Sequence, residues 1–139
     1  MRSNFRTKES LVDDDVKARL VEGLEMMTSE QLPVHLNPHL PETGSMPLEM
    51  ALRSSAILRL TDTAGNFQFP SFQFGEGGTL RPVVQMVNMI LCAGSDPWAV
   101  LDWWRSPNPW LPNHPTPLSL LGTDAQDQLS ELARAAVSF

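Results

Sequence analysis

Cysteine and histidine are scarce in this 139-residue sequence, which contains one Cys and three His. A single cysteine, Cys92, excludes an intrachain disulfide and a zinc site built from several thiolates. His35 and His39 are close in sequence, but Pro38 interrupts the helix that would bring both onto one face. We therefore expect no metal site and no cofactor. Cys92 follows three apolar residues and is interpreted as a small buried apolar side chain.

Basic residues are also few, since ten Lys and Arg stand against sixteen Asp and Glu, for a formal net charge of -6. Proteins that grip a phosphate backbone need a clustered field of basic side chains. Here the basic residues are thinly spread, and the one local group is formed by Arg2, Arg6 and Lys8. This composition argues against a protein whose main function is to bind nucleic acid.

Long apolar runs are absent as well. No run reaches the roughly 20 residues of a membrane-spanning helix, and the polar N-terminus has no apolar segment of the signal-peptide kind. We therefore expect a cytoplasmic protein that does not enter a membrane. A chain of this length is expected to form one domain with a tail, because it can bury about two-thirds of its unfolded surface around one core.

Tryptophan, by contrast, is concentrated in one short stretch. All four tryptophans of the chain are found there, at Trp98, Trp103, Trp104 and Trp110. Because indole is costly to leave in water, a small protein uses such side chains either to fill a core or to dock a partner. Trp103 and Trp104 are adjacent, so they cannot face the same way on a helix. Trp110 lies in a proline-rich turn and is equally suited to anchoring an interface or to plugging the end of a bundle.

The sequence contains no strong signal for a catalytic site. Acidic side chains at Asp96, Asp102, Asp124 and Asp127 are explained by helix capping or solvation, because no histidine or second carboxylate is placed to form an acid–base pair. Ser119 lacks the surroundings of a nucleophile elbow. We therefore expect that the chain is not an enzyme.

The N-terminal part of the chain predicts one helix followed by an irregular segment. Residues 10–27 carry apolar side chains at the three-to-four spacing of a helix with one buried stripe. Residues 28–47 contain repeated prolines and are interpreted as a linker or as an extended segment on the domain surface. The expected organisation is a tail and helix at 1–27, a Pro-rich linker at 28–54, and a hairpin plus helical domain at 55–139.

A β-hairpin is predicted within residues 55–74, where apolar and polar residues alternate. Gly65 and Asn66 lie between the two strands and tolerate the positive φ that a tight loop requires. Pro70 removes a backbone donor, which predicts a short strand at the edge of its sheet.

Further helices are predicted C-terminal of the hairpin. One spans residues 80–91, the next begins at Asp96 and ends near Arg105, and the last follows a cap at Thr123 or Asp124. Thr116 precedes a proline and predicts a one-turn helix, since a capping side chain followed by proline is a helix start signal. The expected fold class is mainly α: a small helical domain with one β-hairpin and a Pro-rich irregular segment.

The order of these C-terminal motifs resembles a known family. Trp104 is followed by a turn containing Asn108, by the run Pro-Leu-Ser-Leu-Leu that ends at Leu121, and by a terminal helix. Over residues 79–139 this series resembles the Xre/MbcA/ParS-type toxin-binding domain, and residues 69–74 extend the resemblance back to about residue 55. Relatives commonly carry an N-terminal helix-turn-helix, which the proline-rich segment of this chain does not supply.

The resemblance implies an antitoxin of a type II toxin–antitoxin system. Its partner would be a RES-domain toxin that consumes NAD, and the antitoxin would neutralise it by covering its active-site cleft without doing chemistry itself. Asn108 is interpreted first as fixing its own turn, and Phe139 as a chain end that either packs back or enters a partner's cleft. The expected contact surface or its immediate support comprises the terminal helix together with Trp104, Asn108, Trp110, Leu111, Leu120, Leu121 and Phe139.

Two other classes of function are left open by the sequence. A dimeric transcriptional regulator would contact DNA through the N-terminal arm and the hairpin, and a gel shift with steep salt dependence would distinguish it. A small enzyme of an unrecognised kind would need a pocket with convergent polar groups. A homodimer is likewise left open.

Overall fold

The computed structural model describes residues 14–33, 36, 48–75 and 78–138 of the chain. The α-helices in this part are α1 (Asp14–Val21), α2 (Leu48–Arg53), α3 (Pro82–Ile90), α4 (Pro97–Arg105) and α5 (Leu129–Ala136). The strands are β1 (Met26–Met27), β2 (Leu60–Thr61) and β3 (Phe67–Pro70). Short 3-10 helices lie at Ser29–Gln31, Ser71–Gln73, Pro117–Leu120 and Asp124–Gln128. The predicted fold class, mainly α with one hairpin, is confirmed.

The predicted hairpin is formed by β2 and β3, which pair antiparallel. Its loop is closed by Asp62, whose Oδ1 accepts hydrogen bonds from the backbone N–H groups of Ala64 and Asn66, each at 2.9 Å. Gly65 takes a φ of 87° in this loop, whereas Asn66 does not adopt a positive φ. Glycine adopts this left-handed conformation without steric cost, so the tight reversal depends on Gly65.

Two predictions are corrected here. The strand that contains Pro70, β3, lies at the centre of the sheet and not at its edge, because β1 pairs with it on the side opposite β2. The helix predicted to reach Met27 stops before Gly23, whose φ of 78° ends α1 as a left-handed cap. Its first predicted residues, 10–13, lie outside the described residues. Pro70 is tolerated in a central strand because it is the last residue of β3, and the N–H of Ser71 donates to the carbonyl of Glu25 at 2.9 Å.

The predicted caps at Asp96 and Thr116 are confirmed. The Asp96 side chain accepts a hydrogen bond from the Ala99 N–H at 3.3 Å at the start of α4. Thr116 likewise accepts from the Ser119 N–H at 3.2 Å and starts the 3-10 helix Pro117–Leu120. The cap at Thr123 instead begins a 3-10 helix, so α5 starts one turn later than the sequence predicted.

The buried side chains form two neighbouring clusters. The larger one surrounds Trp104 and brings α3, α4 and α5 together, with Leu129 and Ala133 of α5 fully buried. The smaller one includes Leu32 and Leu36 from the Pro-rich segment. The described part of that segment therefore packs into the domain, and it contains the 3-10 helix Ser29–Gln31 where the sequence suggested a linker or an extended surface segment.

A buried amide network joins the hairpin to α3 and α4. The Gln73 side chain binds both backbone groups of Leu58, with Oε1 accepting at 2.6 Å and Nε2 donating at 3.0 Å. The Asn88 Nδ2 donates to Gln73 Oε1 at 3.1 Å and to the Ala56 carbonyl at 3.3 Å. Trp104 Nε1 donates to Asn88 Oδ1 at 3.2 Å. Since unpaired buried polar groups are costly, these bonds fix how α4 sits against the hairpin.

Cys92 is exposed, which corrects the expectation that it is buried. It lies in the turn between α3 and α4 and takes a φ of 59°. The left-handed backbone carries its side chain away from the core, and the neighbouring Ala93 is the residue that is buried there.

Candidate protein-binding surface

Trp110 is the most exposed of the four tryptophans, with 63% of its surface accessible. The other large apolar side chains that are exposed in the described part are Met50, Phe67, Met86, Met89 and Val137. The ring of Phe67 is covered by the guanidinium of Arg59, 3.8 Å from the ring centroid, and burial lowers the pKa of Arg59 from its ordinary value. Trp110 is therefore the largest of the apolar side chains that are exposed in the described part of the chain.

Asn108 holds the turn that carries Trp110. Its side chain is largely buried, and Oδ1 accepts a hydrogen bond from the Trp110 N–H at 2.9 Å. Its backbone N–H donates to the Pro115 carbonyl at 2.9 Å, and its carbonyl accepts from the Leu111 N–H at 3.1 Å. These bonds tie both sides of the turn, as expected for an Asx turn. The predicted turn-fixing role of Asn108 is confirmed.

The second half of the turn reverses through two left-handed residues. Asn113 and His114 take φ values of 66° and 50°, and the His114 N–H donates to the Leu111 carbonyl at 3.0 Å. Leu111 is only 6% exposed and anchors the turn in the domain. The backbone position from which the Trp110 side chain projects is therefore fixed on both sides.

A cleft of about 220 Å³ lies beside Trp110, between α4, the turn and α5. Tryptophan, proline and aliphatic side chains provide most of its wall, and Ser106 Oγ donates to Asp102 Oδ1 at 3.0 Å within it. We call it the aromatic cleft. Its lining residues are Asp102, Trp103, Ser106, Pro107, Asn108, Pro109, Trp110, Leu132 and Ala136.

The adjacent tryptophans Trp103 and Trp104 serve different surfaces. Trp104 is fully buried and packs on Phe72, with ring centroids 5.2 Å apart. Trp103 is half-buried, lines the aromatic cleft, and meets Trp104 edge to face at 5.3 Å and 80°. The prediction that the two rings face different neighbours is confirmed. The same helix turn thus links the core directly to the cleft.

The residues predicted for partner contact divide by burial. Asn108 and Trp110 line the aromatic cleft. Trp104 and Leu111 are buried and so correspond to the supporting part of the predicted set. Two further predicted residues, Leu120 and Leu121, are half-buried against the larger core cluster and do not line the cleft. Phe139 lies outside the described residues.

Several lining residues were not predicted. The sequence treats Asp102 as a solvated acid and does not place Pro107 in the contact surface. One signal was available, because Asp102 lies in the last turn of α4 and Ser106 follows the end of that helix, so a hydrogen bond between the two side chains is local. Leu132 and Ala136 belong to the terminal helix, which the sequence includes in the contact surface, but their meeting with Asp102 depends on tertiary packing.

A second cleft, of about 250 Å³, lies between α1, the sheet and α4. Trp98 lines it, half-buried, with the Lys17 ammonium 5.2 Å from its ring centroid. Asp62 also lines it, but its carboxylate is engaged by the hairpin loop and by Gln68, whose Nε2 donates to Oδ2 at 3.1 Å. Within the described ranges, no group of three His, Cys, Asp or Glu is placed to hold a metal ion.

Comparisons with known proteins add no relative, because no family model, curated protein or solved structure matches the chain. In the part of the chain that is described, no helix has the length and apolar character needed to cross a bilayer. The function is therefore argued from the aromatic cleft, from the Trp110 turn and from the order of the C-terminal motifs.

Proposed function

We propose that this chain is an antitoxin that binds a RES-domain toxin and occludes its active site. The observation that carries the proposal is Trp110, 63% exposed on a turn that a largely buried asparagine holds in place. Tryptophan is among the residues that dominate binding energy at interface centres. Covering the exposed part of an indole, roughly 100–150 Å², contributes about 3 kcal/mol before ordering costs are subtracted.

The rigidity of the turn supports the same proposal. Binding usually costs free energy because loops and side chains lose freedom at the interface. Here the turn is fixed beforehand by the hydrogen bonds of Asn108 and by the buried side chain of Leu111. An anchor that is already positioned loses less entropy when a partner covers it.

The nature of the partner follows from the resemblance of the motif series to the toxin-binding domain. Occlusion requires a shaped surface and no reaction carried out by this chain. Among its described lining residues, the aromatic cleft has one carboxylate, Asp102, and no histidine, lysine or arginine. That composition suits the recognition of a protein surface better than acid–base chemistry.

The proposal is tested by co-expressing the chain with the product of the neighbouring gene, followed by pull-down and size-exclusion chromatography. We expect a heteromeric complex and loss of the toxin's NAD consumption within it. Trp110→Ala should weaken the complex about 30-fold, the effect of a 2 kcal/mol hot spot. Met86→Ala removes an exposed apolar side chain on α3 and serves as the matched control.

Failure to form a complex with the neighbouring gene product would count against the antitoxin function. Equal affinity of the Trp110→Ala and Met86→Ala variants would count against this surface. A gel shift of the isolated chain on its own promoter, steeply weakened by salt, would favour the transcriptional regulator instead.

A further inference from the structure

The aromatic cleft combines two indole side chains with one carboxylate. Trp103 and Trp110 line it together with Asp102, whose side chain is exposed. Indole rings attract cations through their π-systems, and a carboxylate adds a full opposite charge. The chemistry of this lining therefore favours a ligand that has both a flat or aliphatic apolar part and a positive charge.

No cation of the chain itself meets this carboxylate in the described residues. Arg105 lies one turn further along α4, but its Nη1 donates to the carbonyls of Leu20 and Glu22, each at 2.9 Å. Arg134 of α5 pairs with Glu131 at 3.4 Å. The chain carries a formal net charge of -6. Among the described residues, none of the chain's own cations therefore competes with a partner's positive charge for this carboxylate.

Asp102 is also held in position for such a role. Ser106, the residue that follows the last residue of α4, donates from Oγ to its Oδ1 at 3.0 Å. This bond restricts the carboxylate and reduces the entropy lost when it pairs with a cation. An exposed ion pair is weak when both side chains lose conformational entropy on pairing. Because the Asp102 side chain is already restrained, less of this entropy is lost when a cation binds it.

The size of the cleft indicates a single side chain. Its volume of about 220 Å³ is below the roughly 300–1,000 Å³ of pockets that hold drug-sized ligands. Arginine fits the chemistry better than lysine, because guanidinium is planar, stacks on aromatic rings and pairs with carboxylates through two parallel bonds. Its guanidinium is also less strongly hydrated than an ammonium group.

We propose that the aromatic cleft receives an arginine side chain of the partner protein, positioned by Trp103, Trp110 and Asp102. The inference rests on the proposed function for the existence of a protein partner. It adds the chemical class that the cleft recognises: an arginine that stacks on indole and pairs with the Asp102 carboxylate.

The test uses the full chain, labelled with ¹⁵N, and a capped Gly-Arg-Gly peptide as the probe. Indole N–H signals report on the four tryptophans separately. We expect the arginine peptide to shift the signals of Trp103 and Trp110 with millimolar affinity, and to leave Trp98 unshifted. The same peptide with citrulline, which keeps the shape and lacks the charge, should shift neither signal.

The matched variants are Asp102→Asn and Asp127→Asn. Asparagine keeps an oxygen that accepts from Ser106, so the fold of the cleft is preserved while the charge is removed. Asp102→Asn should weaken the arginine peptide about threefold or more, the size of an exposed ion pair. Asp127 is exposed and lies outside the cleft lining, so Asp127→Asn should bind the peptide as the unmodified chain does.

Equal shifts with the citrulline peptide, equal binding of a lysine peptide, or no effect of Asp102→Asn would overturn the inference. The outcome is separable from that of the proposed function. If the neighbouring gene product binds the Asp102→Asn variant with undiminished affinity, the arginine site fails and the antitoxin function stands. If the arginine peptide binds as expected and no complex forms with that gene product, the site stands and the antitoxin function fails.

Discussion

Trp104 Nε1 donates a hydrogen bond to Asn88 Oδ1 at 3.2 Å, and both side chains are fully buried. This bond connects α3 to the helix that carries the aromatic cleft. Trp104 also contacts Trp103 edge to face, so the amide network in the core reaches the cleft wall within two neighbouring side chains. The stability of the core and the shape of the binding surface are therefore expected to change together.

Replacing Asn88 with alanine should destabilise the fold strongly. The substitution leaves the Trp104 N–H without its acceptor and removes a donor to Gln73. We expect a loss of about 3 kcal/mol in the free energy of unfolding, from unpaired buried groups and a small cavity. Chemical denaturation checks this, with Gln85→Ala on the same helix as the control. An unfolding midpoint shared by both variants would contradict the role given to the network.

Replacing Trp104 with phenylalanine removes the indole N–H and keeps a smaller aromatic ring. The substitution also leaves a small cavity and an unpaired Asn88 Oδ1, so we expect about 2–3 kcal/mol lost in the free energy of unfolding, against about 3–5 kcal/mol for Trp104→Ala. A double-mutant cycle with Asn88→Ala measures the coupling between the two side chains. Strictly additive effects would show that the bond contributes nothing beyond the separate side chains.

Removing the Asn108 side chain should affect binding more than stability. Asn108→Ala loses the acceptor for the Trp110 N–H and is expected to cost about 1 kcal/mol in the free energy of unfolding. Asn108→Asp keeps the acceptor oxygen and should largely restore the turn. Affinity for the neighbouring gene product and the NMR relaxation of the Trp110 indole N–H signal are the two measurements. Similar behaviour of the alanine and aspartate variants would argue against the turn as a preorganised anchor.

Sequence reasoning succeeded where the determining interactions are local. The caps at Asp96 and Thr116 are hydrogen bonds between a side chain and a backbone group three residues away, so the sequence contains both partners. The Asx turn at Asn108 is equally local. Such motifs can be predicted because their geometry depends on few neighbours.

Non-local pairing explains the failures in the fold. Strand β1 has only two residues, Met26 and Met27, and shows no alternation of its own. This strand forms because its backbone pairs with that of β3, which lies more than 40 residues later in the chain. The exposure of Cys92 depends on its left-handed backbone conformation, which could not be predicted because cysteine rarely adopts a positive φ.

The same division between local and non-local interactions explains which parts of the candidate site could be predicted. Trp110 could be singled out because its flanking prolines place it in a turn. The burial of Trp104 and Leu111 could not, since it depends on which helices pack around them. The meeting of Asp102 with Leu132 in one cleft requires α4 and α5 to be packed together first.

Arg105 is expected to control the attachment of α1. Its guanidinium donates to the carbonyls of Leu20 and Glu22 at the end of that helix, where carbonyl groups lack helical partners. Arg105→Ala should lower the stability of α1 against local opening by about 1–3 kcal/mol, because hydrogen bonds from a charged donor are lost. Hydrogen exchange should speed up at the α1 amides and stay unchanged in α3. Arg134→Ala, which removes an exposed ion pair, should leave both helices unaffected. Faster exchange throughout the domain in Arg105→Ala would instead mean that α1 and the core open as one unit.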